Sequence, residues 1–155
     1  MDVSGLADSA TIRGGCSCGS VRYECSEPPL AMFNCHCRDC QRASGGAFVT
    51  VAVFHEYALH IQEGRATYHR VLGDSGRWTD RGFCAECGTP LFAKGEVGQG
   101  YVTIKPGSLD DASWFRPSLD TWTSSAPTWL PLDPELTKTN KAGNVLRRTL
   151  KTGIE

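Results

Sequence analysis

Seven of the eight cysteines in this 155-residue chain fall into three clusters whose spacing suits metal ligation. Cys84 and Cys87 are separated by two residues and followed by Gly88. Two intervening residues allow a tight turn that aims both thiolates at one point, and the glycine permits the left-handed backbone such a turn requires. A knuckle of this kind supplies two ligands, whereas a structural zinc takes four in a tetrahedron. Cys16 and Cys18, followed by Gly19, supply the second pair, because residues two apart in a turn can point to the same side. Together Cys16, Cys18, Cys84 and Cys87 read as a closed structural site. It clasps the chain across residues 19–83 and turns metal-binding free energy into folding free energy.

The middle cluster, Cys35, Cys37 and Cys40, is left with three thiols. Cys37 and Cys40 are three apart, a spacing that suits one helical turn. Thiols at a helix start are expected to be depressed in pKa by the macrodipole. Three protein ligands leave the fourth position of a zinc open, which marks catalytic rather than structural sites. The expected cofactor is therefore two zinc ions per chain, one enclosed and one open. Three thiolates leave the open site with one net negative charge. Its Lewis acidity is then weak, and it suits a soft sulfur ligand better than water activation.

Other readings of the same residues stand beside this one. Disulfides can link some pairs, although a reducing compartment disfavours them. His36 can complete the middle site as a fourth ligand, although its place between two ligands tends to point it away. Cys25, on an alternating stretch with Val21 and Tyr23, reads as a small buried hydrophobe. No general base is evident among His36, His55, His60 and His69, and Tyr57 and Tyr68 are equally uncommitted. Arg38, Arg42 and the turn Ser44-Gly45-Gly46 flank the open site and could receive a carboxylate or a thiol adduct. Trp122 either walls a pocket or packs in the core.

The elements that must hold these residues are mostly short strands. Ser20–Cys25, Leu30–Asn34, Ala47–Phe54, Ala58–Ile61, Arg65–Leu72 and Tyr101–Ile104 alternate or are rich in β-branched and aromatic residues. Gly82-Phe83 and Thr89–Ala93 flank the knuckle. Helices are few: Arg38–Ala43, a single turn at Ser108–Asp111 and a weak helix at Val145–Lys151. The Pro-rich stretch from Pro117 to Pro134, with Trp122 and Trp129, reads as an ordered loop packed on the core. The expected fold is a mainly β single domain at residues 13–135, with a flexible N-terminus over 1–12 and a basic-tinted tail over 136–155.

Composition narrows the partners. A net charge of −1 argues against nonspecific attraction to nucleic acid or anionic lipid. Met1–Ala10 lacks the basic and apolar regions of a secretory signal. No apolar run reaches the roughly 18–20 residues that span a bilayer. A cytoplasmic protein with no membrane or nucleic-acid partner is expected, and in that compartment eight cysteines point to metal or catalysis. At 40% hydrophobic residues the core is modest, so the metal clasp has stabilising work to do.

Four stretches carry a resemblance to a known family. They are Gly15-Cys16-Ser17-Cys18-Gly19-Ser20-Val21, Cys35-His36-Cys37-Arg38-Asp39-Cys40 continuing to Ser44-Gly45, Arg81-Gly82-Phe83-Cys84 through Cys87-Gly88 to Phe92, and Lys105-Pro106-Gly107-Ser108-Leu109-Asp110. In order and spacing, from about Ile12 to Leu132, the chain resembles the glutathione-dependent formaldehyde-activating enzymes and their CENP-V relatives. The resemblance implies several short coiled β-sheets with a zinc-ribbon-like element. It also implies the same division of ligands, with Cys16, Cys18, Cys84 and Cys87 structural and Cys35, Cys37 and Cys40 catalytic. The implied activity is that of a carbon–sulfur lyase, the reversible joining of formaldehyde to the thiol of glutathione. The alternative is a non-catalytic zinc protein whose sites are structural or redox-sensing.

Overall fold

The computed structural model describes residues 11–142. Eleven strands dominate them: β1 (Ile12–Gly15), β2 (Arg22–Cys25), β3 (Ala31–Cys35), β4 (Val49–His55), β5 (Leu59–Glu63), β6 (Thr67–Leu72), β7 (Trp78–Phe83), β8 (Pro90–Gly95), β9 (Tyr101–Ile104), β10 (Leu119–Thr121) and β11 (Thr137–Lys138). The described residues contain one α-helix, α1 (Arg38–Ser44), and 3₁₀ turns at Glu56–Ala58, Pro106–Ser108 and Thr123–Ser125. The protein is thus mainly β, with two sheets. The smaller has the order β1-β2-β5 and the larger β11-β10-β3-β4-β9-β8-β7-β6. Pairings are antiparallel except β3 with β10 and β10 with β11.

Strand register divides the large sheet into two working faces. Met32 pairs with Ala52, Ala52 with Ile104 and Ile104 with Phe92, so these four share a row. With Ile12, Tyr23 and Cys25 of the small sheet they build the larger core cluster between the two sheets. The opposite face carries Ala31, Phe33, Val49, Val51, Val53 and Leu119, against which Cys35, Cys40 and Tyr101 pack. β4 is central and contributes to both faces. That explains its nearly unbroken apolar run, where a half-buried strand would alternate.

Tyr23 shows how the core reaches toward the site. Its ring meets Phe92 edge-on at 5.0 Å, and its hydroxyl lies 2.7 Å from Ser108 Oγ. Ser108 Oγ donates its one proton to the Lys105 carbonyl at 2.8 Å, so Tyr23 must be the donor to Ser108. The backbone at Lys105 is thereby fixed from the core side.

Several sequence expectations shift. β1 begins at Ile12, only 6% exposed, inside the segment read as a flexible N-terminus, and β11 lies beyond residue 135. The turn expected at Ser108–Asp111 falls two residues earlier, at Pro106–Ser108. Pro106 presets its φ, and Leu109 is already extended to bridge Gly14. The Pro-rich stretch contributes a true strand, β10, yet Trp129 is 71% exposed and does not pack on the core. The helix expected at Val145–Lys151 lies outside the described residues. No helix among the described residues is long and apolar enough to cross a membrane.

Two substitutions grade this core. Phe54, fully buried, should lose about 3–5 kcal/mol of stability as Phe54→Ala in urea unfolding. Tyr23→Phe, which removes one hydrogen bond and no volume from the ring, should lose about 1 kcal/mol. Equal losses would contradict the division between packing and hydrogen bonding.

Candidate metal centres

The first centre is built by two hairpin loops. Cys16 and Cys18 occupy the β1–β2 connection, where the Cys16 N–H donates to the Val21 carbonyl (3.1 Å) and the Gly19 N–H to the Cys16 carbonyl (3.1 Å). The Val21 N–H donates to Cys16 Sγ at 3.2 Å, which aims that sulfur inward. Cys84 and Cys87 occupy the β7–β8 connection, closed by the Gly88 N–H to the Cys84 carbonyl (2.8 Å) and by Gly88 at φ 73°. Thr89 ties the loops together, because its hydroxyl accepts the Ser17 N–H at 3.1 Å. The four sulfurs all lie within 4.8 Å of one another. Hydrogen bonds from the Thr89 hydroxyl and from the Thr89 and Cys18 backbones bring the Cys87 thiol down to about 5.

The second centre lies on the far face of the large sheet. Cys35 ends β3, paired with Val49 on one side and Thr121 on the other. Cys37 is the N-cap of α1, its sulfur accepting the Cys40 N–H at 3.4 Å, and Cys40 stands in the first helical turn. Their sulfurs also lie within 4.8 Å of one another. The expected depression of these thiols by the helix is not found. Hydrogen bonding to Cys37 leads in pushing Cys35 up, and hydrogen bonding to Cys35, with burial, takes Cys40 to about 11. The helix has only seven residues, while three like groups crowded together disfavour one another's ionisation far more strongly. A bound divalent cation reverses that balance by taking up the thiolate charge. Both clusters can hold a metal ion, and their all-sulfur donor sets fit zinc.

His36, between two of these cysteines, is 1% exposed and turned to a buried polar network instead. Its Nε2 meets Asp120 Oδ1 at 3.1 Å, and the same oxygen accepts from Asn34 Nδ2 at 3.0 Å. Thr50 Oγ1 donates to Asn34 Oδ1 at 3.0 Å. Gln41, buried on α1, donates to the His36 carbonyl (2.7 Å) and the Ser125 carbonyl (2.9 Å). This network fixes the backbone that carries Cys35 and Cys37. Cys25 is on the other side of the sheet in the main core, where burial raises its thiol to about 12.

The remaining sequence candidates disperse. His60 and His69 are exposed, and Arg42 and the Ser44-Gly45-Gly46 turn stand at the far end of α1 from its cap. The Gly46 N–H there is already satisfied by Ser44 Oγ at 3.0 Å. Trp122 is half-buried with φ 58°, in the turn that follows the Cys35 partner Thr121. Sequence reading missed Asp120 and Asp74. Asp74, in the β6–β7 loop, accepts the Arg38 N–H (3.2 Å), while its own N–H donates to Asp39 Oδ2 (2.8 Å). Both carboxylates come within 4.8 Å of the Cys37 sulfur. Nothing in the local sequence marks either aspartate, since each acts across the fold.

Fold and sites together define a mainly β protein with two cysteine clusters able to bind metal, one of four cysteines and one of three. The model of the glutathione-dependent formaldehyde-activating enzyme family matches residues 11–125, and the chain belongs to that family. A crystal structure of a Rhodobacter sphaeroides protein is similar over 82% of this chain and 99% of that one, with a TM-score of 0.53 and 18% identity. At that identity the likeness is one of fold.

Asp120→Ala leaves the buried Asn34 and His36 donors without their acceptor. It should lower stability by about 2–5 kcal/mol in urea unfolding. Metal retained by the protein should fall by one equivalent, from the second centre. Unchanged stability and metal content would remove the network from any supporting role.

Proposed function

We propose that the protein is a zinc-dependent carbon–sulfur lyase that makes and breaks an adduct of the S-hydroxymethylglutathione type, from an aldehyde and glutathione or another small thiol. The observation that carries this reading is the set of three cysteines, Cys35, Cys37 and Cys40, which neither His36 nor Cys25 completes. His36 is engaged with Asp120, and Cys25 lies in the core on the opposite side of the sheet. The family's own description supplies the substrate pair.

On this reading each chain holds two zinc ions. Cys16, Cys18, Cys84 and Cys87 hold the structural ion, and Cys35, Cys37 and Cys40 hold the other. When bound, zinc at the second centre supplies a soft Lewis-acidic position for a substrate sulfur or its adduct oxygen. Cys35, on the sheet, and Cys37 and Cys40, on the helix, orient that position. The apolar face formed by Phe33, Val49 and Val51 limits the access of water from below. In the adduct-forming direction the thiol sulfur bonds to the carbonyl carbon, the thiol gives up a proton and the carbonyl oxygen gains one. The reverse direction restores both reactants.

Metal analysis with a turnover assay tests the reading. Cys37→Ser should lose one zinc of two and at least a hundredfold in adduct turnover while remaining folded. Cys84→Ser should lose the other zinc and several kcal/mol of stability, on the order of a structural site's contribution. Turnover undiminished in Cys37→Ser with one zinc gone would sink the catalytic role.

A further inference from the structure

Two cations share the sheet face of the three-cysteine centre, and neither has an acidic partner among the described residues. Thr103 of β9 pairs with Ala93 of β8, and Ala93 with Arg81 of β7. On its other side Thr103 pairs with Val53, and Val53 with Ala31, which belongs to the apolar cluster beneath Cys35. Strand alternation carries the same face on from Thr103 to Lys105, just past the end of β9, and from Ala31 to Cys35.

The backbone of Lys105 is held rigidly. Its N–H donates to the Leu91 carbonyl at 2.9 Å, and its carbonyl accepts from Ser108 N (2.9 Å) and Ser108 Oγ (2.8 Å). Its side chain is half-buried. Four cations of the described residues are matched to carboxylates: Arg13 to Glu24, Arg22 to Asp110, Arg70 to Asp80 and Lys94 to Glu56. Lys105 and Arg81 enter no such pair among the described residues. The carboxylates nearest the centre, Asp39 and Asp74, accept from backbone N–H groups instead.

The two cations and the thiols sense one another. Burial is the main cause of a Lys105 ammonium lowered to about 8; Cys40 opposes that shift, Arg81 adds to it, and Cys35 and Cys37 oppose it more weakly. A half-buried cation with no carboxylate partner among the described residues is available to a ligand anion. Three thiolates around a divalent cation carry one net negative charge, which repels an anionic thiol. Lys105 and Arg81, on the same sheet face, oppose that repulsion.

We propose that Lys105 and Arg81 form an anion subsite of the three-cysteine centre, holding a carboxylate of the thiol whose sulfur takes the open position. This rests on the thiol-adduct reading above and extends it to specificity. Thiols bearing a carboxylate are selected over neutral thiols of similar size, by charge-assisted hydrogen bonds and by the local field.

The test is calorimetric titration of the zinc-loaded protein with 3-mercaptopropionate and with 2-mercaptoethanol. The carboxylate-bearing thiol should bind about tenfold tighter or better, the scale of a charge-assisted hydrogen bond. Lys105→Met should abolish most of that advantage, at unchanged zinc content and unchanged affinity for 2-mercaptoethanol. Lys105→Arg should retain part of it, and Arg81→Met, farther from the core, should reduce it. Equal binding of the two thiols by the wild type, or an advantage that survives Lys105→Met, overturns the subsite and leaves the thiol-adduct reading standing. Binding of neither thiol overturns both.

Discussion

Thiolates crowded to within 4.8 Å of one another are the constraint on which the protein depends. At the sheet-face centre the grouping resists ionisation without a cation, and Cys40 is held up at about 11. With one, the same crowding becomes a chelate whose binding energy adds to folding or to chemistry. A modest core makes this more than local. The main apolar cluster lies between the small sheet and one face of the large one, and the first centre pins together the two loops at its edge.

The centres differ because their frames differ. The first rests on hairpin loops, where glycine-closed turns and Thr89 fix two cysteine pairs toward each other. Nothing about it demands access. The second is assembled from a strand end and a short helix over an apolar face, with His36, Asn34, Asp120 and Gln41 locking the backbone behind it. Rigid support and, on the proposed reading, an incomplete donor set are what a site for an exchangeable ligand requires.

Much of this was legible in the sequence where the physics is local. Cysteine spacing, the glycines behind each pair and the β-branched run of β4 encode their geometry within a few residues, so the grouping of the cysteines and the mainly β fold were readable. Position between two ligands was enough to suggest that His36 turns away. What escaped reading acts at a distance. β10 is three residues inside a Pro-rich stretch and exists because β3 offers it a parallel edge. Asp120 and Asp74 gain their roles only from residues more than thirty positions away. The thiol pKa directions at the second centre were misjudged because a helix-end effect was weighed without the neighbouring thiols.

The central claim is that one metal position is closed and the other is open to a thiol. X-ray absorption at the zinc edge of the protein as purified, alongside elemental analysis, addresses it directly. The account predicts two zincs per chain with about 3.5 sulfurs each on average, four on one ion and three on the other. Added glutathione should raise that average toward four. A full four-sulfur shell on both ions before any thiol is added, or an average unmoved by glutathione, would contradict it.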